Sequence, residues 1–356
     1  MYCIVMAGGS GTRFWPKSRE DKSKQFLTVF GKKSLIQSTV ARFKPIISPD
    51  QIYIIAKESQ KENIKTQLPE IPLENVILEP IGRDTAPCIG LASLFIHEKD
   101  PEAVAVVTPS DHLIRKETLY RKTIQTAAKL ATRKDGFVTV GIVPERPATG
   151  YGYIQINSKK EWIDRVPVYC VKTFAEKPNL ATAKRFLESG DFYWNSGIFV
   201  FKVQVLLKAI QTYLPDLYDG LMEIRKSMNK SGYHKTLKKV YQEIKGISID
   251  YGIMEKTKEV YLLKGRFSWN DLGNWEQIYR LSPKDKDGNV ILGNSLLLNT
   301  KSSYVDSSDN FVALVGLENV VVVQEGNSTL VCSREHVEDV KKMLELMKRK
   351  KQIEYL

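Results

Sequence analysis

The chain has 356 residues, 42% of them hydrophobic and 26% charged, with a formal net charge of +12. That length exceeds one small domain and suits a large α/β domain with a smaller companion, while the balance of apolar and charged residues excludes a disordered or fibrous chain. No apolar run approaches the ~20 residues that a membrane span needs, and Arg13 and Lys17 follow the first apolar run rather than preceding a longer one, so neither membrane insertion nor a secretory leader is expected.

In the first half, short β-branched runs alternate with amphipathic stretches. "YCIVMA" opens the chain, followed by "QIYIIA", "NVILEP", "AVAVVTPSD" and "FVTVGIVP". Between them the apolar spacing predicts helices over Ser34–Phe43, Ala86–Glu98 and Glu117–Thr132. This rhythm implies a mostly parallel sheet flanked by helices, with ligands at the carboxyl ends of the strands. From Gly150 the pieces become aromatic and strand-like ("GYGYIQI", "VYCVKTFAEKP", "FYWNSGIFVF"), which reads as an antiparallel extension forming the other wall of a cleft. Helices resume over 203–244, and a turn-rich stretch at Ser282–Gly288 reads as a linker. The expected division is therefore 1–282 and 289–356.

Beyond Asn289 the pattern is β-rich. Val305, Phe311, Leu317 and Val323 recur every six residues, consistent with a short left-handed β-helix and equally with plain strand alternation. A terminal amphipathic helix closes the chain, with Val337, Val340, Leu344 and Met347 on one stripe. Its basic run, Lys341, Lys342, Lys348, Arg349, Lys350 and Lys351 against Glu345, holds much of the excess charge and reads as a solvated face. No nucleic-acid-binding signature accompanies it, so small polyanions are the better partner class. Cys3, Cys88, Cys170 and Cys332 are dispersed, as are the four histidines, which suits reduced thiols in a cytoplasmic protein and offers no zinc spacing.

The loops carry the chemistry. After the first strand comes "AGGSGTRFWPKSREDKSKQFL". Its backbone N–H groups can form an anion-binding nest, with Gly8, Gly9, Gly11 and Thr12 approaching a phosphate closely. Phe14 stands where a dinucleotide fingerprint needs its third glycine, and no G-K-[ST] follows, so both common glycine motifs are excluded. Arg13 and Lys24 add two cations suited to phosphate.

This stretch resembles the G-G-x-G-T-R-x-x-P…K signature of nucleoside-diphosphate-sugar pyrophosphorylases, in the form found in mannose-1-phosphate guanylyltransferases. The resemblance recurs in "LEPIGRDTAP", "VTPSDHLI", "ATGYGYI", "FAEKPN", "WNSGIFVF", "SIDYGIMEK" and "WNDLGNW", in the family's order over roughly residues 1–280. It implies the nucleotide-diphospho-sugar transferase fold, an α/β Rossmann-like mixed sheet, with GTP and mannose 1-phosphate as substrates and a homodimer as the assembly. It also implies magnesium or another divalent cation, held by Asp111 and Asp271. For an isolated Asp, a helix cap before Glu117 and an Asx turn before Gly273 would be the ordinary roles.

By the same resemblance, Arg13, Lys24, Asp111, Lys177 and Asp271 are the catalytic residues. Gly8, Gly9, Gly11, Thr12, Arg13, Arg83, Asp84, Thr85 and Ser110 hold the nucleotide. Lys177 contacts the sugar phosphate, and Gly150, Glu176 and Asn195 line the sugar pocket. Asp84 and Thr85 equally suit the cap of the helix that follows, while Tyr151, Tyr153 and Trp194 suit plain core. Two rivals remain: a nucleotidyltransferase taking glucose 1-phosphate with UTP, ATP or dTTP, and a non-catalytic sugar-nucleotide-sensing subunit of the same fold. The presence of all five catalytic residues weighs against the second. A fused phosphomannose isomerase would need a histidine-rich metal site, and after Ser282 the sequence has only His336.

Overall fold

The computed structural model describes residues 1–9 and 11–356, and divides into two compact units. The first comprises Met1–Gly8, Thr39–Ser110 and Ile114–Trp269; the second comprises Gly9–Ser38, Asp111–Leu113 and Asn270–Leu356. Both are discontinuous in sequence, whereas 1–282 and 289–356 are simple segments of chain.

The first unit is built on a nine-stranded mixed sheet. Its order is Val76–Glu79, Ile52–Lys57, Tyr2–Met6, Val104–Pro109, Phe192–Lys202, Phe137–Ile142, Val260–Lys264, Val166–Ala175 and Tyr153–Ile163. The first four strands are mutually parallel, as the alternating pattern of the first half implies. Phe192–Lys202 then runs antiparallel between Val104–Pro109 and Phe137–Ile142, and Tyr153–Ile163 pairs antiparallel with Val166–Ala175. The aromatic segments beyond Gly150 thus extend the same sheet, as expected from their texture.

Helix Thr85–Lys99 is buried nearly all round, which fits its run of small and apolar residues. Gly90 lets two neighbours approach: a Cβ there would stand 3.0 Å from Leu221 and 3.1 Å from Ile210. Helix Glu117–Arg133 shows one buried stripe, Tyr120, Ile124, Ala127, Leu130 and Ala131. The stretch 203–244 resolves into three helices, Val203–Tyr213, Pro215–Ser227 and Tyr233–Glu243, broken where Pro215 and the glycine at 232 interrupt the pattern.

The second unit carries a four-stranded sheet ordered Val290–Leu298, Tyr304–Val315, Val320–Glu325 and Ser328–Ser333. Its first three strands stack in parallel, Val290 beside Tyr304 and Val305 beside Val322, and the last returns antiparallel. The six-residue periodicity does not describe its core. Val305 and Val323 are fully buried, but Phe311 is 59% exposed and Leu317 39%. The real core of this unit joins distant sequence: Phe14 and Trp15 pack with Trp275, Tyr304, Val323, Val337, Val340 and Leu344. Phe14 meets Trp275 edge to face at 5.1 Å between centroids, a favoured aromatic geometry. The terminal helix, Val340–Arg349, docks on its apolar stripe as its periodicity predicts.

Candidate active site

Within the second unit a cavity of 360 Å³ gathers four of the five residues that the resemblance marks as catalytic, Arg13, Lys24, Asp111 and Asp271. Gly11, Thr12, Arg13 and Lys24 line it from the glycine-rich loop, with Asp111 and Asp271 from two other loops. Gly11 has a positive φ of 60°, and a Cβ there would lie 2.2 Å from Lys24 Cβ. Glycine is therefore required at this position by close packing against Lys24, whatever the loop binds.

Lys24 is the pivot. Its side chain is 7% exposed, and Nζ donates to Asp111 Oδ2 at 2.7 Å and to the Asp271 carbonyl at 2.6 Å. A buried ammonium needs such partners. Burial pushes the Asp111 carboxyl up, but the charges of Lys24 and His112 outweigh it and hold the group below the ordinary carboxylate range. Arg13 is half-exposed, and its Nε donates to Glu338 Oε2 at 2.8 Å.

Asp111 does not cap the following helix, and the turn before Gly273 is braced by Asn270. The residue preceding helix Glu117–Arg133 is Lys116, and the Asx turn at 270–272 is made by Asn270, whose Oδ1 accepts from Leu272 N at 2.8 Å. Two carboxylates on one cavity fit a hard divalent cation that completes its shell with water and phosphate oxygens. Among the described residues there is no cluster of three or more His, Cys, Asp or Glu side chains to hold a metal without such help.

Gly9 also belongs to the second unit, and the other predicted residues lie in the first. Gly8 is backed by Glu79, whose Oε2 would stand 3.7 Å from an added Cβ. Arg83 donates from Nε to the Tyr241 carbonyl at 2.6 Å and from Nη2 to that of Gln242 at 2.9 Å, so those donors are committed to the end of a helix. Asp84 caps helix Thr85–Lys99 by accepting from Thr85 N, with a strained φ of 69°. Thr85 Oγ1 accepts from Ile249 N, and Ala86 N donates to Ile247 O, which stitches this loop to the segment before Asp250. Ser110 is buried, its N–H donating to Met6 O and its carbonyl accepting from Thr39.

A second cluster surrounds Glu176, Asn195 and Asp250, which line one small pocket with Gly152 and Glu255. Lys177 pairs with Glu176 at 2.9 Å and is 65% exposed. Asn195 Nδ2 donates to Asp250 Oδ1 at 2.7 Å. Burial, then the neighbouring Glu176, push the Asp250 carboxyl up to about 6, partly offset by the Asn195 amide. Gly152, not Gly150, is the glycine against this cluster: a Cβ at 152 would stand 2.5 Å from Glu176 Oε2, while none of the neighbours comes within 4 Å at 150. Tyr151, Tyr153 and Trp194 are buried, as core residues are. Asp250 and Gly152 escaped sequence reading although both lie in quoted motifs. Lys341 and His112, which line the first cavity, also escaped it.

The sequence model described as nucleotidyl transferase matches residues 2–288. The chain belongs to the nucleotidyl transferase family. A second model, described as a MannoseP isomerase/GMP-like beta-helix domain, matches residues 293–347, in line with the parallel stacked strands there. Within this family the chain is 35% identical over 355 residues to a mannose-1-phosphate guanylyltransferase of Klebsiella pneumoniae, covering 99% of this chain and 75% of that one. A crystal structure from Thermus thermophilus, described as a mannose-1-phosphate geranyltransferase, superposes with a TM-score of 0.87 at 31% identity over 98% of this chain and 99% of its own. Another, from Helicobacter pylori and described as a mannose-6-phosphate isomerase, gives 0.60 at 27% identity over 76% of this chain and all of its own. For this nucleotidyl transferase, no described helix is long and apolar enough to cross a membrane.

Proposed function

We propose that this chain transfers the guanylyl group of GTP to mannose 1-phosphate, giving GDP-mannose and pyrophosphate. The observation that carries the reading is the cavity where Arg13, Lys24, Asp111 and Asp271 meet, in a chain whose close relatives bear that activity's name. A sugar phosphate has its second pKa near ~6, so at neutral pH it is largely dianionic and attacks the α-phosphorus without a general base. Catalysis then consists of in-line alignment and relief of repulsion between two polyanions. The cavity lining is consistent with this: cations and carboxylates, without serine or cysteine among the described residues.

Gly8, Gly9, Gly11 and Thr12 present backbone N–H groups to the triphosphate, and Arg13 and Lys24 offset charge on the departing pyrophosphate. Arg83, Asp84, Thr85 and Ser110 serve the nucleotide, the first three by shaping its loop. Lys177 takes the phosphate of the sugar, Glu176 and Asn195 its hydroxyls, and Gly150 the approach to them. Asp250, held by Asn195, belongs with this group. Asp111 and Asp271 would hold magnesium, which when bound supplies charge neutralisation for the phosphates. We place the protein in the cytoplasm, with a catalytic region over 1–282 and a β-rich region over 289–356. A homodimer through the latter is supported by Leu296, Leu298, Phe311 and Val315, which are each 58–66% exposed on strands Val290–Leu298 and Tyr304–Val315.

The experiment is phosphorus NMR of GTP and mannose 1-phosphate incubated with the full chain, with and without a chelator. GDP-mannose and pyrophosphate should form in equal amounts and cease with the chelator or with Asp111→Asn. Undiminished turnover by Asp111→Asn with a native melting curve sinks the assignment.

A further inference from the structure

By sequence Lys341 is one of a run of solvated lysines, yet it lines the first cavity with Arg13, Lys24, Asp111 and Asp271. Two other lysines of the run are paired, Lys342 with Asp339 at 2.7 Å and Lys348 with Glu20 at 2.9 Å, and neither lines the cavity. Lys341 has no hydrogen-bond or ion-pair partner among the described residues. It stands at the start of helix Val340–Arg349, which continues directly from the 3-10 turn Arg334–Asp339. A lysine kept there without a partner is an unbalanced charge in the free protein, and an anion in the cavity would balance it.

The cavity's other charges point the same way. Arg13 and Lys24 are matched by Asp111 and Asp271, so without Lys341 the lining side chains sum to zero. A polyanion site needs an excess of positive charge, and Lys341 supplies it.

Its placement is also well determined. Glu338, three residues earlier, accepts from Arg13 Nε at 2.8 Å and from Asn274 Nδ2 at 2.5 Å. Val337, Val340 and Leu344 anchor the same segment in the core beside Phe14 and Trp15. Beyond the helix, Trp15 Nε1 donates to the Tyr355 carbonyl at 2.6 Å. The segment that carries Lys341 is thus tied to the residues flanking Arg13.

We propose that Lys341 is a phosphate-binding residue of this cavity, a third cation that the C-terminal helix brings to the pyrophosphate end of GTP. The inference deepens the function proposed above and rests on it for the identity of the nucleotide. Lys341 contacts the phosphates and exchanges no proton with them.

The test is calorimetric binding of inorganic tripolyphosphate to the full chain at fixed ionic strength, for wild type, Lys341→Met, Lys341→Arg and Lys342→Met. Loss of one charge-assisted contact predicts a Kd about tenfold weaker for Lys341→Met. Lys341→Arg should restore most of the affinity, and Lys342→Met should match wild type. In turnover assays, Lys341→Met should raise KM for GTP, and for pyrophosphate in reverse, with KM for mannose 1-phosphate unchanged. Equal tripolyphosphate affinity in wild type and Lys341→Met overturns the proposal. So does an equal loss in Lys342→Met, which would mean only long-range charge, or no binding by wild type. If wild type binds tripolyphosphate but makes no GDP-mannose, the function reading fails while the binding series still decides Lys341.

Discussion

Glu79 ends the strand Val76–Glu79 behind Gly8, and its side chain is 3% exposed. Burial pushes its carboxyl from 4.5 up to about 7, against the pull of the Tyr241 hydroxyl, Lys57 and Cys88; the Tyr241 bond is 3.1 Å long. The folded state therefore prefers the protonated acid. The stability tied to this preference is fully present below the unfolded value of 4.5 and is lost as pH rises through about 7. At about 1.4 kcal/mol per unit, ionising Glu79 by pH 8 costs on the order of 3 kcal/mol. In Glu79→Gln the amide keeps the shape and can still accept from Tyr241, but it cannot ionise. Urea unfolding of both proteins from pH 5 to pH 8 isolates this term, because other titrations cancel in the difference. The variant should gain about 2 to 3 kcal/mol on wild type across that range, after a pH-independent offset of about 1 kcal/mol for the altered hydrogen bond. A difference that stays constant with pH, or that moves in favour of wild type at pH 8, refutes the reasoning.

Arg13→Ala should lower kcat about a hundredfold, as loss of a donor to developing charge does, and leave KM for mannose 1-phosphate nearly unchanged; steady-state kinetics decide it. Gly152→Ala pushes a methyl group to 2.5 Å from Glu176 Oε2. It should raise KM for the sugar phosphate about tenfold, with the melting temperature retained to within a few degrees. Leu296→Glu with Phe311→Glu should convert a dimer to a monomer in light scattering; an unchanged mass means that this apolar face is not the interface.

Much of the fold was legible because periodicity survives folding. The strands of the first half, the helix Glu117–Arg133 and the docked stripe Val337, Val340 and Leu344 all follow from the spacing of apolar residues. The six-residue repeat over 305–323 misled in detail, since Phe311 and Leu317 face outward. Spacing reports which residues share a face, not which face is covered. The residues gathered by the first cavity were legible chiefly through the family resemblance, since Asp111 and Asp271 taken alone suit a helix cap and an Asx turn. Lys341 was hidden by composition: one lysine in a basic run looks like the next, and only packing separates it. Asp250 was hidden differently, since an aspartate in the loop "GISID" reads as turn chemistry until the Asn195 amide gives it a partner.

Gly11 shows the reverse case. Its place in the loop implies backbone access for phosphate, and the structure adds a second constraint, since an added Cβ would stand 2.2 Å from Lys24 Cβ. Gly11→Ala therefore cannot by itself report on phosphate binding.

The most direct test of the account is pyrophosphate release by the full chain, crossing GTP, ATP, UTP and dTTP with mannose 1-phosphate and glucose 1-phosphate in magnesium. The account predicts that kcat/KM for GTP with mannose 1-phosphate exceeds every other pairing by about a hundredfold or more, roughly 2.7 kcal/mol of differential transition-state binding. A preference for UTP or dTTP, or for glucose 1-phosphate, contradicts it.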